Sequence, residues 1–216
     1  MNITTMGQWF DLLQDKYGSA YFTDAEKSLF LNRAQIEFVS DLLPTDPTKV
    51  INAELSQDTI SQIAPLIVEL SYLSPNSSGV ITKANIQAAL TSADSGAIMW
   101  RPLAIGWTYG GIEVPASYIR HNDRWEFQKN FFKRPTVNNP KVRETATSYI
   151  FSPATTNARI YFTLLKYPRE VSISAPTDSI LPDFTHNKIV AIALEFAGIG
   201  SRDSNMTELL KLQQQK

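Results

Sequence analysis

The chain has 216 residues, 43% of them hydrophobic and 19% charged, with a formal net charge of −1 and no cysteine. That length suits one large domain or one domain carrying a substantial insertion, and the balance of apolar and charged residues excludes a disordered polyelectrolyte. The missing thiols exclude disulfides, thiolate nucleophiles and Cys-ligated zinc, and fit synthesis in a reducing cytoplasm.

No apolar run approaches the ~20 residues of a membrane span. Gln8, Asp11, Gln14, Asp15 and Lys16 interrupt the N-terminal apolar pattern, which is wrong for a signal peptide. Basic residues gather locally at Lys129–Arg134 and Lys141–Arg143, but no basic stripe of the kind a sequence-independent nucleic-acid binder needs is present.

Met6, Trp9, Phe10, Leu13 and Tyr17 recur at three- and four-residue steps and predict an amphipathic helix over 6–17, with Gly18 placed as its C-terminal cap. Thr23-Asp24-Ala25-Glu26 reads as a capping box opening a helix from Asp24 to about Leu42, which buries Phe30, Leu31, Ala34, Phe38, Val39 and Leu42 before Pro44 and Pro47 stop it. From Pro65 the period changes to two, with Leu66, Val68, Leu70 and Tyr72 on one face of a strand closed by the turn cluster 74–79. Thr82 caps a short helix to about Leu90, and the apolar, aromatic stretch Ile98–Tyr109 predicts a strand.

A short helix is expected over Asn122–Asn130. Two strands follow, about 142–151 and 159–167, joined as a hairpin by the loop 152–157, with Tyr149 and Phe151 sharing one face and Phe162 and Leu164 sharing another. After Pro168, Pro176 and Pro182, a helix capped by Asp183 or Thr185 runs over about 186–199 and is rich in small residues (Ala191, Ala193, Ala197, Gly198). Gly198 and Gly200 loosen its end. Beyond them Met206, Leu209, Leu210 and Leu212 form an apolar edge on a segment too short to be a stable helix alone. The whole reads as α+β: a helical bundle made by the N- and C-terminal helices (residues 1–64 and 181–216) with a long, mainly β insertion over 65–180.

Candidate chemistry is sparse. His121 and His186 lack zinc-ligand spacing, and no Gly-x-Ser-x-Gly elbow is present. Gly106-Trp107-Thr108-Tyr109-Gly110-Gly111 lacks the ending of a phosphate loop and reads as a turn or an adjustable loop. Asp11, Asp15, Asp24 and Glu26 are explained by helix starts and exposed faces. Trp100, Trp107 and Trp125 could form a sugar platform, but core filling or subunit contact is the commoner use of so many rings. Neither a catalytic residue nor a cofactor is expected.

The run Tyr17–Lys27 leading into Leu31-Asn32-Arg33-Ala34-Gln35, then Arg120-His121-Asn122-Asp123, Asn130-Phe131-Phe132-Lys133-Arg134-Pro135, and a closing Leu181-Pro182-Asp183-Phe184-Thr185-His186 helix start give a distinctive order of segments. It resembles the head-to-tail connector, or adaptor ring, proteins of tailed bacteriophages, most of all the ring proteins of crAss-like phages. The resemblance implies a structural virion protein made in the host cytoplasm and assembled at the head–tail junction as a dodecameric ring. Its partners would be the portal protein and an adjoining tail or second ring protein, with DNA passing through the channel without sequence-specific contacts and no membrane involved. The C-terminal segment with Met206, Leu209, Leu210 and Leu212 would grip the portal, and Phe131, Phe132, Lys133 and Arg134 are candidates for the subunit interface. The competing class is a small enzyme or carbohydrate-binding module whose site forms only in the tertiary structure. Ring assembly on one side, and a pocket of converging carboxylates on the other, would separate the two.

Overall fold

The computed structural model describes residues 2–17, 22–44, 55–119, 123, 127, 129, 130 and 133–201. In chain order the helices are α1 (Ile3–Tyr17), α2 (Asp24–Asp41), α3 (Gln57–Ile63), α4 (Lys83–Ala93) and α5 (His186–Ser201). The strands are β1 (Ile67–Glu69), β2 (Val80–Thr82), β3 (Met99–Tyr109), β4 (Ile112–Pro115), β5 (Ser117–Tyr118), β6 (Lys141–Glu144), β7 (Ser148–Ser152) and β8 (Arg159–Lys166). The class is α+β, and the chain divides into two compact units. One gathers Met1–Leu43, Ser56–Leu66 and Pro168–Lys216; the other comprises Pro44–Leu55 and Ile67–Tyr167. Against the insertion expected over 65–180, residues 168–180 therefore lie with the helices.

In the helical unit α2 begins as its sequence requires. The Thr23 hydroxyl accepts from the Glu26 amide at 3.3 Å, and the Glu26 carboxylate accepts from the Thr23 amide at 2.8 Å. Leu31, Ala34, Phe38 and Val39 are buried on α2, as are Ile3, Met6 and Phe10 on α1 and Ile189, Val190, Ala193, Leu194 and Ala197 on α5. Helix α5 packs along α2, and α1 packs against both. Helix α1 starts at Ile3 rather than Met6, with the Asn2 side chain accepting from the Thr5 amide at 2.8 Å. Trp9, expected in the core, is 38% exposed.

A second contact set runs along one face of α2. Ser28, Asn32 and Gln35 stand four and three residues apart and all reach segment 169–179. The Asn32 amide donates to the Val171 carbonyl at 3.0 Å and accepts from the Val171 amide at 2.7 Å. Ser28 Oγ accepts from the Ile173 amide at 3.0 Å, while Gln35 donates to the Arg169 carbonyl and accepts from the Ser179 hydroxyl. Lys27 is buried with Asp11 at 2.7 Å and Asp24 at 3.4 Å. Burial alone would depress its pKa, but the two carboxylates outweigh that and hold it above the usual lysine value. The lead-in to α5 differs from expectation. A 3₁₀ turn over Asp183–Thr185 precedes it, Pro182 makes no side-chain cap bond, and the Thr185 hydroxyl donates to the Pro182 carbonyl.

The β unit holds two four-stranded sheets, ordered β1-β8-β3-β4 and β2-β7-β6-β5. All pairs are antiparallel except β5 with β6. One core gathers Ile105, Trp107, Ile160, Phe162 and Leu164 from the first sheet with Ile81, Val142, Tyr149 and Phe151 from the second, and Ile86 and Leu90 of α4 join it. Tyr149 and Phe162 ring centroids lie 5.7 Å apart, and Trp107 and Phe151 6.2 Å apart, so aromatic faces meet between the sheets.

Three sequence expectations change here. The strand expected from Leu66 to Tyr72 is only Ile67–Glu69, preceded by a 3₁₀ turn; Leu70 and Leu73 keep contact with β8 through separate backbone bonds. The strand expected over 142–151 is two strands, reversed through a turn that Thr145 closes by bonding the Ser148 carbonyl and amide. A β-branched residue in the turn hides it from a composition reading. Finally, β7 and β8 form no hairpin, because they belong to different sheets and the 152–157 loop crosses between them. The paired faces were assigned correctly, but they meet across the core rather than along a ladder. The helix expected over Asn122–Asn130 falls largely outside the described residues, as does the segment 204–216.

Candidate interaction site

Period-two alternation that sends Ile160, Phe162 and Leu164 of β8 inward turns Arg159, Tyr161 and Thr163 to the other face of the sheet. Tyr161 lies opposite Gly106 in the β3–β8 register. A β-carbon at Gly106 would stand 1.7 Å from Tyr161 Cζ, so the missing side chain is what lets the phenol lean across β3. Its hydroxyl reaches β4 and donates to the Glu113 carboxylate. Burial, and then the Glu113 bond and charge, push the Tyr161 phenol well above the usual tyrosine range, so it stays a neutral donor.

Tyr72 meets the Tyr161 ring edge-to-face at 6.2 Å and is 53% exposed. Together with Glu69, Ser71, Glu113 and Thr163 the two rings line a groove of about 340 Å³. The Arg159 guanidinium stands 5.8 Å from the Tyr72 ring centroid, a cation–π contact. The groove thus combines aromatic faces, two carboxylates and hydroxyls on one sheet face, the equipment for holding a cationic or hydrogen-bonding group.

A second polar cluster centres on Glu144 of β6. Its carboxylate accepts from Lys83 Nζ at 2.5 Å, and from the Tyr118 and Tyr149 hydroxyls at 3.3 Å each. Burial, with Glu144 adding its charge and bond, raises Tyr118 to about 12 and Tyr149 higher still. Phenols made harder to ionise stay protonated and act as hydrogen-bond donors, and this carboxylate is occupied by three donors. The cluster ties the start of α4 to β5, β6 and β7.

Of the residues singled out from sequence, Met206, Leu209, Leu210, Leu212, Phe131, Phe132, His121 and Trp125 lie outside the described residues. Lys133 and Arg134 are exposed. His186 is buried, its Nε2 within 2.9 Å of the Leu181 carbonyl and its Nδ1 3.7 Å from Asp183. Trp107 is core, while Trp100 stacks on Tyr167 at 4.7 Å. Gly110 and Gly111 take positive φ of 58° and 81° in the two-residue turn between β3 and β4, the conformation such a hairpin demands. Among the described residues no three His, Asp or Glu side chains come together to hold a metal ion, and no helix is long and apolar enough to cross a membrane.

Sequence reading missed Tyr72, Tyr161, Glu69 and Glu113. The alternation that placed Phe162 and Leu164 inward already put Tyr161 on the other face; its reach to Glu113 depends on the β3–β4 pairing. No protein-family model matches the chain, and no curated protein matches it.

Proposed function

We propose that this chain is a structural virion protein, one subunit of an adaptor ring between the portal and the tail of a tailed bacteriophage. The observation that carries the reading is what the resemblance-bearing residues do in the fold. Asn32 and Gln35 hold segment 169–179, Arg33 lies 4.2 Å from the centre of the Phe196 ring, and His186 binds the Leu181 carbonyl. Marker residues of both termini are spent on joining α2, the segment before α5, and α5 itself, as scaffold motifs of a building block would be. The one described histidine and the Glu144 carboxylate are engaged in the fold's own hydrogen bonds, which supports a non-catalytic role.

In this reading copies close into a ring, DNA passes through without sequence-specific contacts, and Met206, Leu209, Leu210 and Leu212 grip the portal. Native mass measurement and electron microscopy of the purified chain test it, with closed rings of the dodecameric kind as the expected result. A chain that stays monomeric at every concentration, with or without a portal protein, would overturn it. Removing residues 202–216 should leave the rings intact and abolish portal binding; retained binding would show that the grip lies elsewhere.

A further inference from the structure

We propose that the Tyr72–Tyr161 groove is the receptor for Arg134 of a neighbouring copy, an inference that rests on the ring reading above and names its contact. The groove presents Glu69 and Glu113 beside two tyrosine rings. Carboxylates bind guanidinium and ammonium groups through charge-assisted hydrogen bonds, and ring faces add cation–π attraction. The chain displays this chemistry itself, since Arg159 already stands 5.8 Å from the Tyr72 ring centroid. Two carboxylates against that one guanidinium leave the groove net acidic.

The complementary surface is on the same lobe. Residues 128–143 carry five basic side chains (Lys129, Lys133, Arg134, Lys141 and Arg143) and no acidic one, in a chain whose net charge is −1. Lys129, Lys133 and Arg134 are exposed. Lys129, Lys133 and Arg134 fall between β5 and β6, both in the second sheet, and Lys141 and Arg143 are on β6, whereas the groove lies on the face of the first sheet turned away from the core. The acidic groove and the exposed basic residues are therefore built from different segments of the chain. Two separate patches can join copies head to tail, the arrangement that closes into a ring. Arginine suits the groove better than lysine, because its planar fork can engage a carboxylate with two bonds while stacking on an aromatic ring.

Charge reversal in the full chain tests this, with self-association followed by sedimentation velocity. Arg134→Glu alone and Glu69→Lys alone should each weaken association by about tenfold or more. The combined variant should recover most of that loss, because the reversed charges again attract. Rings that form equally well in both single variants would overturn the contact and leave the ring reading standing. A wild-type chain that never associates would remove the ring reading and the contact with it. Losses that add in the combined variant, without recovery, would show that the two residues do not meet. If Arg134→Glu leaves the rings intact but abolishes binding of a labelled DNA duplex, the basic stretch serves nucleic acid and the proposal fails.

Discussion

In the helical unit α2 directs Ser28, Asn32 and Gln35 at the backbone of residues 169–173 and at Ser179, whereas the inward positions of β3, β7 and β8 in the β lobe carry Trp107, Tyr149, Phe151 and Phe162. Both arrangements bring distant parts of the chain together, yet they do so by different physics. Apolar burial is non-directional and scales with area, so the ring-lined core supplies magnitude. A net hydrogen bond contributes only about 1 kcal/mol, but a buried partner left unmatched costs more. The polar face of α2 therefore specifies one register for segment 169–179 more than it adds stability.

Three substitutions probe that contrast, in descending size. Phe162→Ala removes a ring that touches both Tyr149 and Phe151, and should cost about 3–5 kcal/mol in urea unfolding. A cost below about 1 kcal/mol would mean that the two sheets do not share a continuous core. Asn32→Ala strands the Val171 amide and carbonyl together, and Val171 is buried, so about 1–3 kcal/mol should be lost with faster hydrogen exchange at the Val171 amide. Asn32→Asp keeps the acceptor for that amide and should fall between the two. Equal stability of wild type and Asn32→Ala would break the contrast, because the polar face would then be ornamental.

The smallest effect concerns alkaline pH in the β lobe. Burial first, then the Glu144 charge and hydrogen bond, raise Tyr118 to about 12, while an unfolded chain's tyrosine titrates near ~10. Between those values the folded state holds a proton that the unfolded state has lost. Tyr118 therefore contributes stability fully below pH ~10 and loses it as pH rises towards 12. Tyr118→Phe should flatten the decline of stability over that window, measured by denaturant unfolding at a series of pH values. An unchanged slope would show that Tyr118 is solvated like a free tyrosine.

How far the fold was legible depended on the distance between interacting partners. The Thr23–Glu26 capping box and the Thr82 cap are contacts between residues three apart, so the residues themselves announce them. Period two put Tyr149 with Phe151 and Phe162 with Leu164 on shared faces, and all four side chains are buried. It could not tell that β7 and β8 belong to separate sheets, because alternation reports which side is apolar and carries no information on the neighbouring strand. The turn at Thr145 was invisible for a related reason: a threonine that bonds the Ser148 backbone looks in sequence like one more β-former.

The groove shows the same division. Tyr161 was placed on the sheet's other face by alternation, but its contact with Glu113, 48 positions away, exists only because β4 pairs beside β3 and Gly106 lacks a β-carbon between them. Asn32 stood out in sequence within Leu31-Asn32-Arg33-Ala34-Gln35, yet its partner Val171 is 139 positions distant. By itself, then, the sequence determined the α+β class, the capped starts of α2 and α4, and the residues that share a face on β7 and on β8, since caps and periodicity are local consequences of backbone geometry. The tertiary structure alone decided which strands pair, where the segment after Pro168 is held, and that two tyrosines and two glutamates share a groove. Those depend on chain closure over long separations, where many pairings satisfy the local pattern and packing selects one.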